Sequence, residues 1–149
     1  IMTCDPVTIQ SNMTLAEAAD MFLTENVPVL PVIDSQGRMV GIISPSDLSR
    51  AFLSLIAYDR EGIQIGLQVV DRPGITMDIA GCIRKVGGRI ASLISTDNHT
   101  PQGIRQIYLR LHSLDRRNLI KLSMSLGDIG ILLYIVDQKN NRRNFFAAA

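Results

Sequence analysis

The apolar positions change period along the chain, and each change marks an element. Leu15, Ala18, Ala19, Phe22 and Leu23 recur at i, i+3 and i+4, which predicts a helix with one apolar stripe. Thr14 and Glu17 stand in capping-box spacing at its start, and Asn26 suits a left-handed stop. Asp5-Pro6-Val7-Thr8-Ile9 before it reads as a short extended piece. Val27 to Ile33 is an apolar strand bounded by prolines, Asp34-Ser35-Gln36-Gly37-Arg38 is turn chemistry, and Met39 to Ile43 is a second strand of a hairpin. A further helix from Pro45 carries Leu48, Ala51, Phe52 and Leu55 on one face. The order of this half is strand-helix-strand-strand-helix.

Beyond a charged linker at 59–62, the period drops to two. Ile63, Ile65, Leu67 and Val69 alternate with Gln64, Gly66 and Gln68, as in a half-buried strand. Asp71-Arg72-Pro73-Gly74 turns into a helix buried through Ile75, Ile79, Cys82, Ile83 and Val86, which Gly87-Gly88 stops. Arg89 to Ser95 and Ile104 to His112 are the next strands. Asp115 is placed to cap a helix carrying Leu119, Leu122 and Leu126, and Ile129 to Val136 is the last strand. The fold class is therefore α+β. A βαββαβ order over 63–137 predicts a ferredoxin-like sheet with both helices on one face. Residues 138–149 read as a tail, poorly ordered or artefactual, and stand outside the expected fold.

Composition narrows the chemistry. The chain has 149 residues, 46% hydrophobic and 19% charged, with a net charge of +1. That is a globular balance with no global field for nucleic acid or an anionic membrane. No apolar run approaches the roughly 20 residues of a membrane helix. Cys4 and Cys82 form no CxxC and read as reduced thiols, which suit the cytoplasm as the expected location.

The chain start at Ile1, inside what reads as an element, suggests a piece of a longer protein. Gly41-Ile42-Ile43-Ser44-Pro45-Ser46-Asp47 runs a strand straight into a helix. Ser44 and Asp47 either cap that helix and do nothing else, or they also offer a hydroxyl and a carboxylate, beside free backbone N–H groups, to a ribose and its phosphate. His99 with Asp97 and Ser95 lacks a nucleophile-elbow pattern. His112 shares strand parity with Tyr108 and Arg110. No GxGxxG or Walker motif is present. Lys139, Arg142 and Arg143 read as a solvated basic end. No catalytic residue and no metal ligand is expected.

Two resemblances organise these elements. Pro6-Val7-Thr8, Leu30-Pro31-Val32 with Asp34, Gly37, and Gly41 through Asp47, entered from Ile1-Met2-Thr3, resemble a CBS domain over 1–58. The resemblance implies a repeat that normally pairs with a second copy and binds AMP, ATP or S-adenosylmethionine in the cleft. No second copy occurs in this chain, so an upstream repeat or a second chain is expected to supply it. Carried over by position, Ser44 and Asp47 hold ribose and phosphate, Thr8 lines the mouth, and Val29, Leu30, Pro31 and Ile43 wall the base.

The later half resembles an ACT domain, on Val69-Val70-Asp71-Arg72-Pro73-Gly74, Ile83 to Ile90 and the element order. That resemblance implies an amino-acid effector at Asp71, Arg72, Pro73, Gly74 and Ile75, although Pro73-Gly74 can also be only a tight turn. The domain order is similar to CBS–ACT regulators of the acetoin-utilisation type. The implied function is a non-enzymatic, homodimeric ligand sensor acting through both domains, with no obligatory cofactor and with a regulated enzyme as a further partner. A dimerisation or docking module without a ligand, and a regulatory fragment of a larger metabolic enzyme, are the alternatives.

Overall fold

The structure, a computed structural model, describes residues 6–59 and 61–146. Cys4 and the Ile1-Met2-Thr3 entry lie outside the described residues. The chain divides into two compact units, Ile1–Leu55 and Ile56–Ala149.

The first unit contains β1 (Ile9–Gln10), α1 (Leu15–Glu25), β2 (Leu30–Ile33), β3 (Met39–Ile43) and α2 (Pro45–Leu55). β1 pairs parallel with β2, and β2 pairs antiparallel with β3. The Thr14–Glu17 capping box forms, with Thr14 N–H donating to Glu17 Oε2 at 2.6 Å and Glu17 N–H to Thr14 Oγ1 at 3.3 Å. Asn26 ends α1 in the left-handed region at φ 50°. Asp34 closes the hairpin by accepting from the N–H groups of Gln36 and Arg38 at 2.9 and 3.0 Å.

The core of this unit is small. Ile9, Ala18, Phe22 and Leu30 are buried, and Val32, Ile43 and Leu48 pack around them. α2 forms where the spacing places it, but none of its residues is buried, and Phe52 and Leu55 are 52% and 67% exposed. The four-residue core covers only the Leu48 end of the stripe, so the remainder faces outward.

The second unit contains β4 (Ile63–Val70), α3 (Ile75–Lys85), β5 (Arg89–Thr96), β6 (Ile104–His112), α4 (Leu119–Gly127), β7 (Ile131–Asp137) and β8 (Arg142–Phe145). The sheet order is β5-β6-β4-β7-β8, and every neighbouring pair is antiparallel. Ile63, Ile65, Leu67 and Val69 of β4 and Ile107, Leu109 and Leu111 of β6 pack in one cluster with Ile75, Ile79 and Ile83 of α3 and Leu122 and Leu126 of α4. Each such side chain contributes about 1.5–3 kcal/mol of burial, so the period-two alternation fixes which face the helices cover. Gly87, at φ 76°, breaks the chain away after α3, with its N–H on Arg84 O.

Three details depart from the sequence reading. Asp115 caps a short 3-10 turn, Arg116–Asn118, and α4 starts only at Leu119. Its carboxylate accepts from Arg117 N–H at 3.0 Å, a local bond that tightens the chain before α4 opens.

The tail adds a strand in place of trailing off. Asn141, at φ 49°, reverses the chain, and β8 pairs with β7 from Tyr134–Phe145 to Asp137–Arg142. An edge strand such as β7 presents a row of backbone groups that a following segment can satisfy.

Ile56, Ala57 and Tyr58 belong with the second unit. Their carbonyls accept from Ser92 Oγ at 3.0 Å, Arg110 Nε at 2.6 Å and Arg110 Nη2 at 3.2 Å. Arg110 also stacks its guanidinium 5.0 Å from the Tyr58 ring centroid. Among the described residues, no helix is long and apolar enough to cross a membrane.

Candidate functional site

The junction of β3 and α2 is built by Ser44 and Asp47. Asp47 Oδ2 accepts from Ser44 N–H at 2.8 Å and from Ser44 Oγ at 2.6 Å, and Asp47 N–H donates to Ser44 Oγ at 3.3 Å. This is a capping box with Asp in the Glu position. Asp47 Oδ1 meets Arg50 Nη2 at 2.6 Å. The Ser44 hydroxyl, the Arg50 guanidinium and the Ser44 N–H together hold the Asp47 carboxyl down to about 2, so the group is charged at any physiological pH.

The strands bring most of the expected cleft residues to one end of the first sheet. Leu30 pairs with Ile43, which precedes Ser44. Thr8 immediately precedes Ile9, the partner of Val32. Val29 is exposed, while Thr8, Pro31, Ile43 and Ser44 are half-buried. Leu30 is placed differently from its expected role as a wall. It is 0% exposed and packs on Ile9, Ala18 and Phe22, because strand parity turns it into the core.

The apolar faces of α1 and α2 form a second feature of this unit. Leu15, Ala16 and Ala19 of α1 and Leu48, Phe52 and Leu55 of α2 line a groove of about 670 Å³ with almost no polar surface. A repeat without its second copy exposes such a face, and Phe52 and Leu55 are exposed on it.

In the second unit, Asp71, Arg72, Pro73, Gly74 and Ile75 line one cavity of about 540 Å³. Gly74 takes φ 84° at the start of α3, which explains the need for glycine there. Thr76, Ser95 and Arg105 complete the lining. Arg105 was invisible to sequence reasoning, since it reaches Asp71 through the β4–β6 pairing across 34 residues, at 3.0 Å. It also donates to Ser95 Oγ at 3.1 Å, and its buried Nε has no partner among the described residues. The hydrogen bond from Arg105 holds the Asp71 carboxyl below its ordinary value. Arg72 pairs with Asp78 at 2.5 Å, so each of the two arginines in the lining has a carboxylate partner, and Arg105 is the more shielded of the two.

Among the described residues, no group of three His, Cys, Asp or Glu side chains is arranged for a metal ion. No hydrogen bond joins His99 to Ser95 or Asp97 among them, and Ser95 Oγ serves Arg105 instead.

Known proteins match one part of this chain. Residues 1–54 match the CBS domain family. A CBS domain-containing protein of Dictyostelium discoideum is 44% identical over 48 residues, covering 32% of this chain and 33% of the relative. A chloroplastic CBS domain-containing protein of Arabidopsis thaliana is 36% identical over 55 residues, covering 37% and 23%. The L-aspartate semialdehyde sulfurtransferase of Methanocaldococcus jannaschii is 37% identical over 51 residues, covering 34% and 10%. The match thus spans from a tenth to a third of these relatives' lengths, too little to carry a whole protein's activity. CBS-domain proteins are in general regulatory and ligand-sensing. The strand-helix-strand-strand-helix unit from β1 to α2, which contains the Ser44–Asp47 junction, is the part of the chain that matches the CBS domain family over residues 1–54.

Proposed function

We propose that this chain is a non-enzymatic regulatory sensor whose CBS domain binds an adenosine nucleotide, AMP or ATP, or S-adenosylmethionine. The observation that carries the reading is the Asp47 carboxylate, kept ionised at a helix start and aligned by Ser44. An ionised carboxylate beside a helix N-terminus accepts ribose hydroxyls, while the neighbouring N–H groups face phosphate. Thr8, Val29, Pro31 and Ile43 stand at the same end of the sheet, where an adenine needs an apolar slot. The apolar α1–α2 groove supports pairing with a second CBS repeat, from another chain or another part of the protein.

The second unit is read as an ACT-like domain. Its βαββαβ order and its β5-β6-β4-β7 strand order support that reading, as does the placement of Asp71 through Ile75 around one cavity. An amino-acid effector would meet Arg105 with its carboxylate. Sheet edges give a second homodimer contact, and a cytoplasmic partner enzyme is the target of the signal.

Titration calorimetry with AMP, ATP and S-adenosylmethionine tests the proposal. Heat that saturates with one of them, and that Asp47→Ala weakens at least about tenfold, supports it. No binding, by this chain or by a longer one with a second repeat, sinks it. The α1–α2 groove favours a second reading, a dimerisation module without a small ligand, which the absence of binding together with self-association would select.

A further inference from the structure

β8 does more than close an edge. Its Arg142 and Asn144, with Asn140 from the β7–β8 turn and Arg116 from the 3-10 turn, surround a cavity of about 240 Å³ whose other lining is Leu119, Ile120, Ile135 and Asp137. Asp137 pairs with Ile63, at the end of β4 away from Val70 and the Asp71 turn, so this cavity is separate from the one at Asp71–Ile75.

The charges inside it are unevenly matched. Asp137 is 4% exposed and takes Arg116 Nε and Nη2 at 3.2 Å each and Asn140 Nδ2 at 2.7 Å. The carboxylate and the Arg116 guanidinium thereby neutralise each other. Arg142 makes no ion pair or hydrogen bond through its side chain among the described residues, and neither does the amide of Asn144. What remains is one unpaired cation and a neutral amide at one side of the cavity, with three aliphatic side chains at the other.

We propose that this cavity binds a small aliphatic monocarboxylate. Its head meets Arg142 and Asn144, and its chain lies on Leu119, Ile120 and Ile135. One unmatched guanidinium calls for one negative charge, and an Arg fork fits a carboxylate. The size agrees. A volume of about 240 Å³ accommodates roughly eight water-sized groups at about 30 Å³ each, the scale of a six-carbon acid and far below a nucleotide. Hairpin organisation explains why Asp137 bonds Asn140 and the N–H of Lys139. That organisation makes no use of the side chains of Arg142 and Asn144, which are exposed and line the cavity.

The test is an NMR titration of the full chain with 4-methylpentanoate, 4-methylpentan-1-ol and inorganic phosphate. The acid is expected to shift the methyl signals of Leu119, Ile120 and Ile135 and the side-chain amides of Asn140 and Asn144. The alcohol should bind at least about tenfold more weakly, since it lacks the charge-assisted bond. Arg142→Gln should lose about tenfold in affinity for the acid at an unchanged Tm, and Arg142→Lys should recover part of the loss. Unmoved methyl signals, equal affinity for acid and alcohol, an unaffected Arg142→Gln variant, equal binding of phosphate, or shifts confined to 71–76 would each overturn the proposal.

Discussion

The carboxylate of Asp47 closes a ring with Ser44, accepting from its N–H at 2.8 Å and from its hydroxyl at 2.6 Å. One oxygen therefore carries the cap, while the other bonds Arg50. Ser44→Ala should cost about 1 kcal/mol of stability, the usual worth of an N-cap hydroxyl. Asp47→Ala should reduce nucleotide affinity by more than it reduces stability, read by calorimetry beside thermal unfolding. Equal losses in the two would make Asp47 a cap alone.

The same ring has a pH signature. The folded-state pKa of Asp47 is depressed to about 2, against an ordinary aspartate value of 3.8. A depressed carboxylate contributes stability that is complete above the ordinary value and is lost as pH falls through the folded one. The Asp47 carboxyl carbon should therefore titrate in NMR with a midpoint near 2, and Asp47→Asn should flatten the acid limb of the stability curve between those values. A midpoint at the ordinary value would show that the Ser44 and Arg50 bonds do not persist in solution.

Two glycines should respond oppositely to alanine. A Cβ at Gly130 would stand 2.4 Å from the carbonyl oxygen of Gln68, a backbone atom that cannot swing aside. Gly130→Ala should destabilise by about 1–3 kcal/mol, as overpacking does. Gly81 lies within α3 and a Cβ there meets nothing within 4 Å. Gly81→Ala should stabilise by about 0.5–1 kcal/mol through helix propensity. Paired denaturant melts measure both.

The α1–α2 groove should govern association. Phe52 is half-exposed on an otherwise apolar surface. Phe52→Asp should shift the sedimentation profile towards smaller species while leaving the thermal transition within about 0.5 kcal/mol, the usual range for surface changes. An unchanged profile would place the association surface elsewhere.

Much of this architecture can be read from local pattern. The Thr14–Glu17 box, the Asn26 stop and the Asp34 turn depend on residues at most four positions apart, and each is where the pattern puts it. The β4 alternation likewise announces its buried face. Local pattern placed α2 but left open what covers its stripe, which looks like that of any core-facing helix. Whether such a stripe is buried depends on what lies over it, and this unit has too few residues to cover it. The inward placement of Leu30 was hidden for a related reason: a family position names a residue, while strand parity decides which way it points.

The sequence by itself determined the element order, the caps, the turns and the CBS character of residues 1–54, because all of these reside in short-range spacing and residue type. Tertiary structure decided that Arg105 would reach Asp71, that 56–58 would be held by Ser92 and Arg110, and that the apparent tail would become β8 and bring Arg142 beside Asp137 and Arg116. Each of those contacts joins residues distant along the chain through strand register, and register is a property of the assembled sheet that no single segment carries.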